Sequence, residues 1–160
     1  MTRMRNCLAL TAIAAGCLLL PAAHSQPGPA PVKALQQIKP VAETKLLMEG
    51  LAAANMRGLA NHLRDKPREL EAWTFARGQA LLIAETGNLL LLRPPQAAAS
   101  QDTWLKAATN LRDVATELAR AAAAKDYSRA RSGLAAVANA CNHCHQSFRV
   151  PQRIDPFAGE

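Results

Sequence analysis

From Val41 onward the apolar residues of the chain return every three or four positions, and no stretch alternates apolar with polar at every second one. A period near 3.6 marks amphipathic helices and a period of two marks strands, so the pattern predicts helices alone. The first predicted helix runs from about Val41 to Leu63, with Met48, Leu51 or Ala52, Asn55, Leu59 and His62 in phase. Asp65-Lys66-Pro67 breaks it, and the second helix is expected to open there. Pro67 suits its first turn, and Glu69 and Glu71 suit the positive end of its dipole. It continues through Trp73, Ala76, Ala80, Ile83 and Ala84 to about Leu92, where Arg93-Pro94-Pro95 stops it. Ser100 is the expected N-cap of the third, which carries Trp104, Ala107, Leu111, Val114 and Leu118 and ends near Lys125. The fourth starts around Asp126, keeps Ala130, Leu134, Val137 and Cys141 in line, and reaches Phe148 before Pro151 halts it.

Four helices with short connections predict an all-α fold, an antiparallel up-down-up-down four-helix bundle over residues 41–150. Ahead of it, residues 26–40 hold Pro27, Pro29, Pro31 and Pro40 and read as an irregular segment. Behind it, residues 151–160 form a C-terminal tail without periodicity, expected to be loosely ordered and to carry no chemistry. Residues 1–25 pair Arg3 and Arg5 with an apolar run from Cys7 to Leu20, a break at Pro21 and the small-residue site Ala23-His24-Ser25. That is the pattern of a cleavable signal peptide, too short for a confident membrane span. The expected location is periplasmic, with no integral span in the mature chain.

Aromatic residues make up only 4% of the chain, while alanine and leucine dominate. Such a composition suits close helix packing and leaves room inside for a bulky prosthetic group. The net charge is +7, and two of the positive charges leave with the signal peptide. Basic residues are scattered among acidic ones, which argues against nucleic acid and for an acidic protein partner.

The chemistry is concentrated in Cys141-Asn142-His143-Cys144-His145. A C-x-x-C-H run is the attachment signature of c-type haem, with the two thiols joined to the porphyrin vinyl groups and the histidine an axial iron ligand. A zinc site would need four ligands from two clusters, and the only other histidine beyond the leader is His62. A thioredoxin-like pair would need a βαβ setting, and the residues upstream of Cys141 read as helix. Steps of three and four put Cys141, Cys144 and His145 on one helical face, and turn His143 toward solvent. His62, near the end of the first helix, is a minor alternative ligand. Trp73 and Trp104 read as interhelix packing, with contact to the haem open to either. No Ser/His/Asp or paired-carboxylate arrangement is legible, so no enzyme is expected.

A C-terminal Cys141-x-x-Cys144-His145-x-x-Phe148-Arg149 on the last of four helices resembles the class II c-type cytochromes, the cytochrome c′ superfamily. The resemblance covers about Val41 to Arg149. It implies one covalent haem c on Cys141 and Cys144, with His145 as the proximal ligand. Some members place a methionine of the first helix on the iron, and Met48 in Leu47-Met48 occupies the similar position. Others leave the sixth site open behind an apolar residue. Met56, two turns on, is the competing ligand, and either methionine can instead be core filling. The family pattern also implies a propionate contact for Arg149, which a solvated helix-end charge would equally explain. Lys45, Arg57, Arg64 and Arg77 are further cations within reach of propionates. Two functions are implied: one-electron transfer between periplasmic redox proteins if Met48 binds, and NO or CO binding by a five-coordinate iron if it does not. Homodimers through the first two helices are common among such relatives.

Overall fold

The computed structural model describes residues 39–158, which form four helices and no strand. The expected signal peptide and nearly all of the Pro-rich segment lie outside the described residues. Helix α1 covers 44–62, α2 is Leu70–Leu91, α3 is Ala98–Ala123 and α4 is Tyr127–Ser147. No helix among the described residues is long and apolar enough to cross a membrane.

Helix α1 differs from its expected form. It runs as an α-helix over Thr44–Leu47, widens to a π-helix over Met48–Ala53, and returns to α over Ala54–His62. The buried positions record the change: Leu47, Ala52, Met56, Leu59 and Leu63 face the core, and the first step is five residues. A five-residue step is the repeat of i→i+5 hydrogen bonding. Asn55, expected on the core stripe, is only partly buried and donates from Nδ2 to the Leu51 carbonyl at 2.7 Å. Upstream, Val41 and Ala42 are exposed and lie outside the helix.

Three helix starts show what sequence signals mean once packing has acted. Pro67 is not in the first turn of α2. Its carbonyl accepts from the Trp73 indole N–H at 3.1 Å, which holds the preceding loop, and Glu69 takes the N-cap position. Ser100 is not a cap either, because α3 begins at Ala98 with Ala97 at the N-cap. Alanine is the best helix former, so the alanines ahead of Ser100 extend the helix past it. At α4 the expectation holds, and the Asp126 side chain accepts from the Arg129 N–H at 3.0 Å.

Short connections make consecutive helices antiparallel neighbours, and α2 packs most extensively on α3, then α3 on α4 and α1 on α2. Small residues allow the approach. A Cβ at Gly87 would lie 2.8 Å from the Ala108 carbonyl and the Arg112 nitrogen, so the α2–α3 crossing requires glycine there. Leu59, Leu63, Ile83, Leu118, Leu134 and Val137 are fully buried between the helices. Burial of such side chains contributes about 1.5–3 kcal/mol each. Thr86, also fully buried, is satisfied by donating to the Leu82 carbonyl at 2.9 Å.

The seam between α1 and α4 is built differently along its length. At the C-terminal end of α1, the Leu63 and Arg64 carbonyls have no partner within the helix. Tyr127 Oη donates to both, at 3.3 and 2.8 Å, and Arg131 donates to both at 3.2 Å. That joins the end of α1 to the start of α4.

The tail after Pro151, expected to be loose, is folded back onto the bundle. Ile154 and Phe157 pack against the core, and the Arg131 guanidinium sits 4.2 Å above the Phe157 ring. Asp155 and Pro156 face Arg57, Asn61 and Arg64 of the α1 region across a small cleft. The absence of periodicity was a poor guide because the tail is held by its backbone polar groups and two apolar side chains, not by an amphipathic face.

Candidate haem site

Where the tail leaves α4, the bundle opens into a cavity of about 500 Å³. That lies inside the range of roughly 300–1,000 Å³ usual for cofactor sites. All four helices and the tail contribute to it. Cys141, Cys144 and His145 form one wall from α4, and Met48, Ala52 and Met56 line it from α1. Leu90, Trp104 and Leu111 come from α2 and α3, and Pro151, Gln152 and Ile154 from the tail.

The pentad stays helical throughout, since α4 continues to Ser147. Its three ligand-type residues all line the cavity, while Asn142 turns to the tail and His143 is exposed. Both thiols are free and half-buried. Burial pushes the Cys141 thiol up to about 11, with the neighbouring Cys144 adding to the effect and a backbone hydrogen bond opposing it. Burial raises Cys144 as well. Neutral, poorly solvated thiols are what an apolar cavity wall favours.

His145 is oriented from outside the cavity. Its Nδ1–H donates to the Gln152 carbonyl at 2.8 Å. That bond fixes the tautomer and leaves Nε2 as the nitrogen with a lone pair for a metal.

Met48, Ala52 and Met56 are spaced at four and four, and all three line the cavity, so α1 presents two thioethers and a small residue to it. Met56 is buried in the core cluster, whereas Met48 is only partly buried against it. Trp104 also lines the cavity. Its indole N–H donates to the Leu90 carbonyl at 2.8 Å and its ring meets Phe148 edge-on at 5.2 Å. Trp73 is not at the cavity; it is buried in the core, with its indole N–H on the Pro67 carbonyl.

The remaining candidates are dispersed. Arg149 is exposed and absent from the cavity lining, although Phe148 and Val150 beside it are part of it. It has φ 57° and occupies the left-handed position after α4, with its N–H on the Gln146 carbonyl and the Val150 N–H on the His145 carbonyl. This is a Schellman cap. Of the four other cations, Lys45 lines the cavity, Arg57 and Arg64 face the tail, and Arg77 is exposed elsewhere. His62 stacks on Phe75 with centroids 5.8 Å apart and lines no part of the cavity. Among the described residues no three His, Cys, Asp or Glu side chains are grouped to hold a bare metal ion. The donor set instead fits an iron whose equatorial nitrogens arrive with a macrocycle: two thiols, one imidazole and apolar walls that include two thioethers.

The family model described as Cytochrome C' matches residues 95–149, the stretch that holds α3, α4 and the C-x-x-C-H run. No curated protein and no solved structure matches the chain. That match over α3 and α4, together with the four helices of the described residues, supports assignment to the cytochrome c′ superfamily of class II c-type cytochromes. Among the cavity residues that the sequence pattern did not single out is Gln152, which acts through its backbone carbonyl, an atom every residue possesses.

Proposed function

We propose that the chain is a monohaem c-type cytochrome that carries single electrons between periplasmic redox proteins, and is not an enzyme. In this reading the signal peptide exports it, Cys141 and Cys144 hold one haem c through thioethers, His145 binds the iron, and Met48 binds opposite. Haem c supplies a ferric/ferrous couple. Cys141 and Cys144 tether it, His145 presents Nε2 because Nδ1–H is engaged, and the apolar wall of Ala52, Leu90 and Leu111 excludes water. A thioether on the sixth site favours the ferrous state and excludes small ligands.

The observation that carries the choice of Met48 is helix register. Leu63 and Arg64 meet Tyr127 and Arg131 at one end of the antiparallel α1–α4 pair. At about 1.5 Å per α-helical residue and somewhat less across the π segment, Met48 lies roughly 20 Å back along α1, and His145 lies roughly 21 Å on from Arg131 along α4. Met56 lies only roughly 10 Å back by the same rise, nearer the level of Ala138. Met48 is thus level with the imidazole, and Met56 is a turn or more below it.

Visible spectra of the haem-loaded protein and its Met48→Ala and Met56→Ala variants test this. Expected is a low-spin ferric spectrum with a thioether-to-iron band. Met48→Ala turns it high-spin and opens it to CO, and Met56→Ala leaves it low-spin. A Met48→Ala spectrum identical to that of the parent removes Met48 from the iron. A parent that is high-spin and binds CO at once is instead a five-coordinate, gas-binding cytochrome c′.

A further inference from the structure

The tail is tied to the candidate iron ligand by more than adjacency. Asn142 lies inside the attachment run, on the side of α4 away from the thiols. Its Oδ1 accepts from the Ile154 N–H at 2.8 Å, and its Nδ2–H donates to the Ile154 carbonyl at 2.8 Å. The carboxamide thus mimics a peptide group and takes both backbone polar groups of one tail residue. Two residues earlier, the Gln152 carbonyl accepts from His145 Nδ1–H. Farther on, the Asp155 carboxylate accepts from the Phe157 N–H at 2.9 Å, and Phe157 rests under Arg131. A segment held at Gln152, Ile154 and Phe157 is a strap along α4, and the clamp beside Gln152 is Asn142.

We propose that Asn142 is a positioning residue: through the strap 150–158 it holds the Gln152 carbonyl on His145 and thereby lowers the reduction potential of the haem iron. The proposal rests on His145 being the proximal ligand. A carbonyl acceptor on Nδ1–H increases electron donation from the ring to a metal, as outer-shell acceptors do for ligating histidines. Greater donation stabilises the ferric state. A carbonyl on an untethered chain end would exchange with water, whereas the two-point clamp keeps it in place.

Redox titration of the haem-loaded full chain tests this, with variants on each side of the clamp. Asn142→Leu removes both hydrogen bonds. Ile154→Pro removes the N–H from the tail side and leaves the attachment run untouched, so it remains informative should the first variant mature poorly. Both are expected to raise the potential, by about a tenfold change in the ferric/ferrous equilibrium or roughly 59 mV for one electron. The double variant should shift no further than either single one, because both break one unit. In parallel, chymotrypsin should cut after Phe157 in the variants and spare that bond in the parent. An unchanged or lowered potential in a variant whose tail has become cleavable overturns the proposal, as does a tail that stays protected in Asn142→Leu. Failure of the haem reading looks different, since the parent would then show no couple to titrate.

Discussion

The Cys141 thiol keeps its proton to about pH 11 in the folded chain, against an ordinary value of 9.0, because burial penalises the thiolate. In the haem-free chain this links folding to pH. Between about 9 and 11 the unfolded chain has lost a proton that the folded chain retains, so the fold loses stability as pH rises through that window. Urea unfolding of the haem-free chain should therefore show a midpoint that falls over that range, and Cys141→Ser should flatten part of the fall. An undiminished fall in Cys141→Ser would mean that the thiol is not its source. With the sulfur in a thioether there is no proton to lose, and the haem-loaded protein should lack this contribution. That Cys141, Cys144 and His145 share one cavity wall was legible because their spacing is local: five consecutive helical residues set it. The acceptor that orients His145 was not, because it is a main-chain carbonyl brought back by a tail with no pattern of its own.

Along the helices, the legible part was where each stops. Pro94 and Pro95 cannot continue α2, and Pro151 lies just beyond the end of α4, so both ends followed from covalent geometry. What escaped was register. A π segment leaves no fixed residue signature, and the five-residue step from Leu47 to Ala52 becomes visible only when α1 has neighbours to bury against. Two substitutions separate backbone strain from contact. Lys125 follows α3 with φ 55°, its N–H on the Ala122 carbonyl and the Asp126 N–H on the Ala121 carbonyl. Left-handed backbone costs an L-residue roughly 1–2 kcal/mol, part of which glycine returns as unfolded-state entropy. Lys125→Gly should thus raise stability, by about 0.5–1 kcal/mol, in thermal or urea unfolding. At Gly87 the reverse holds. The new methyl of Gly87→Ala meets main-chain atoms of α3 that no rotamer change can move, and overpacking of this kind typically costs about 1–3 kcal/mol. A neutral Gly87→Ala would show that α2 and α3 can slide apart freely, contrary to their packing.

Across the whole bundle, the two ends of the α1–α4 seam are stabilised by different means. The end near Leu63 is closed by Tyr127 and Arg131 on free carbonyls and by fully buried Leu59, Leu63 and Leu134. The end near Met48 and His145 encloses the cavity, so its apolar walls face open space instead of packed side chains. Local opening follows local burial, and helix segments with few packed neighbours exchange their amide protons first. In the haem-free chain, amides of 44–53 and of the tail should exchange fast while those of Ala54–His62 remain protected. Haem attachment should then slow exchange in 44–53, around Cys141–His145 and in the strap, with little change in the core of α2 and α3. Hydrogen exchange read by mass spectrometry on both forms decides it. Uniform slowing across all four helices would mean that the haem stabilises the bundle as one unit, and that the seam has no independently closing half. Slowing confined to the cavity end would make the prosthetic group the missing core of that half, which explains how a chain with so few aromatic residues fills its interior.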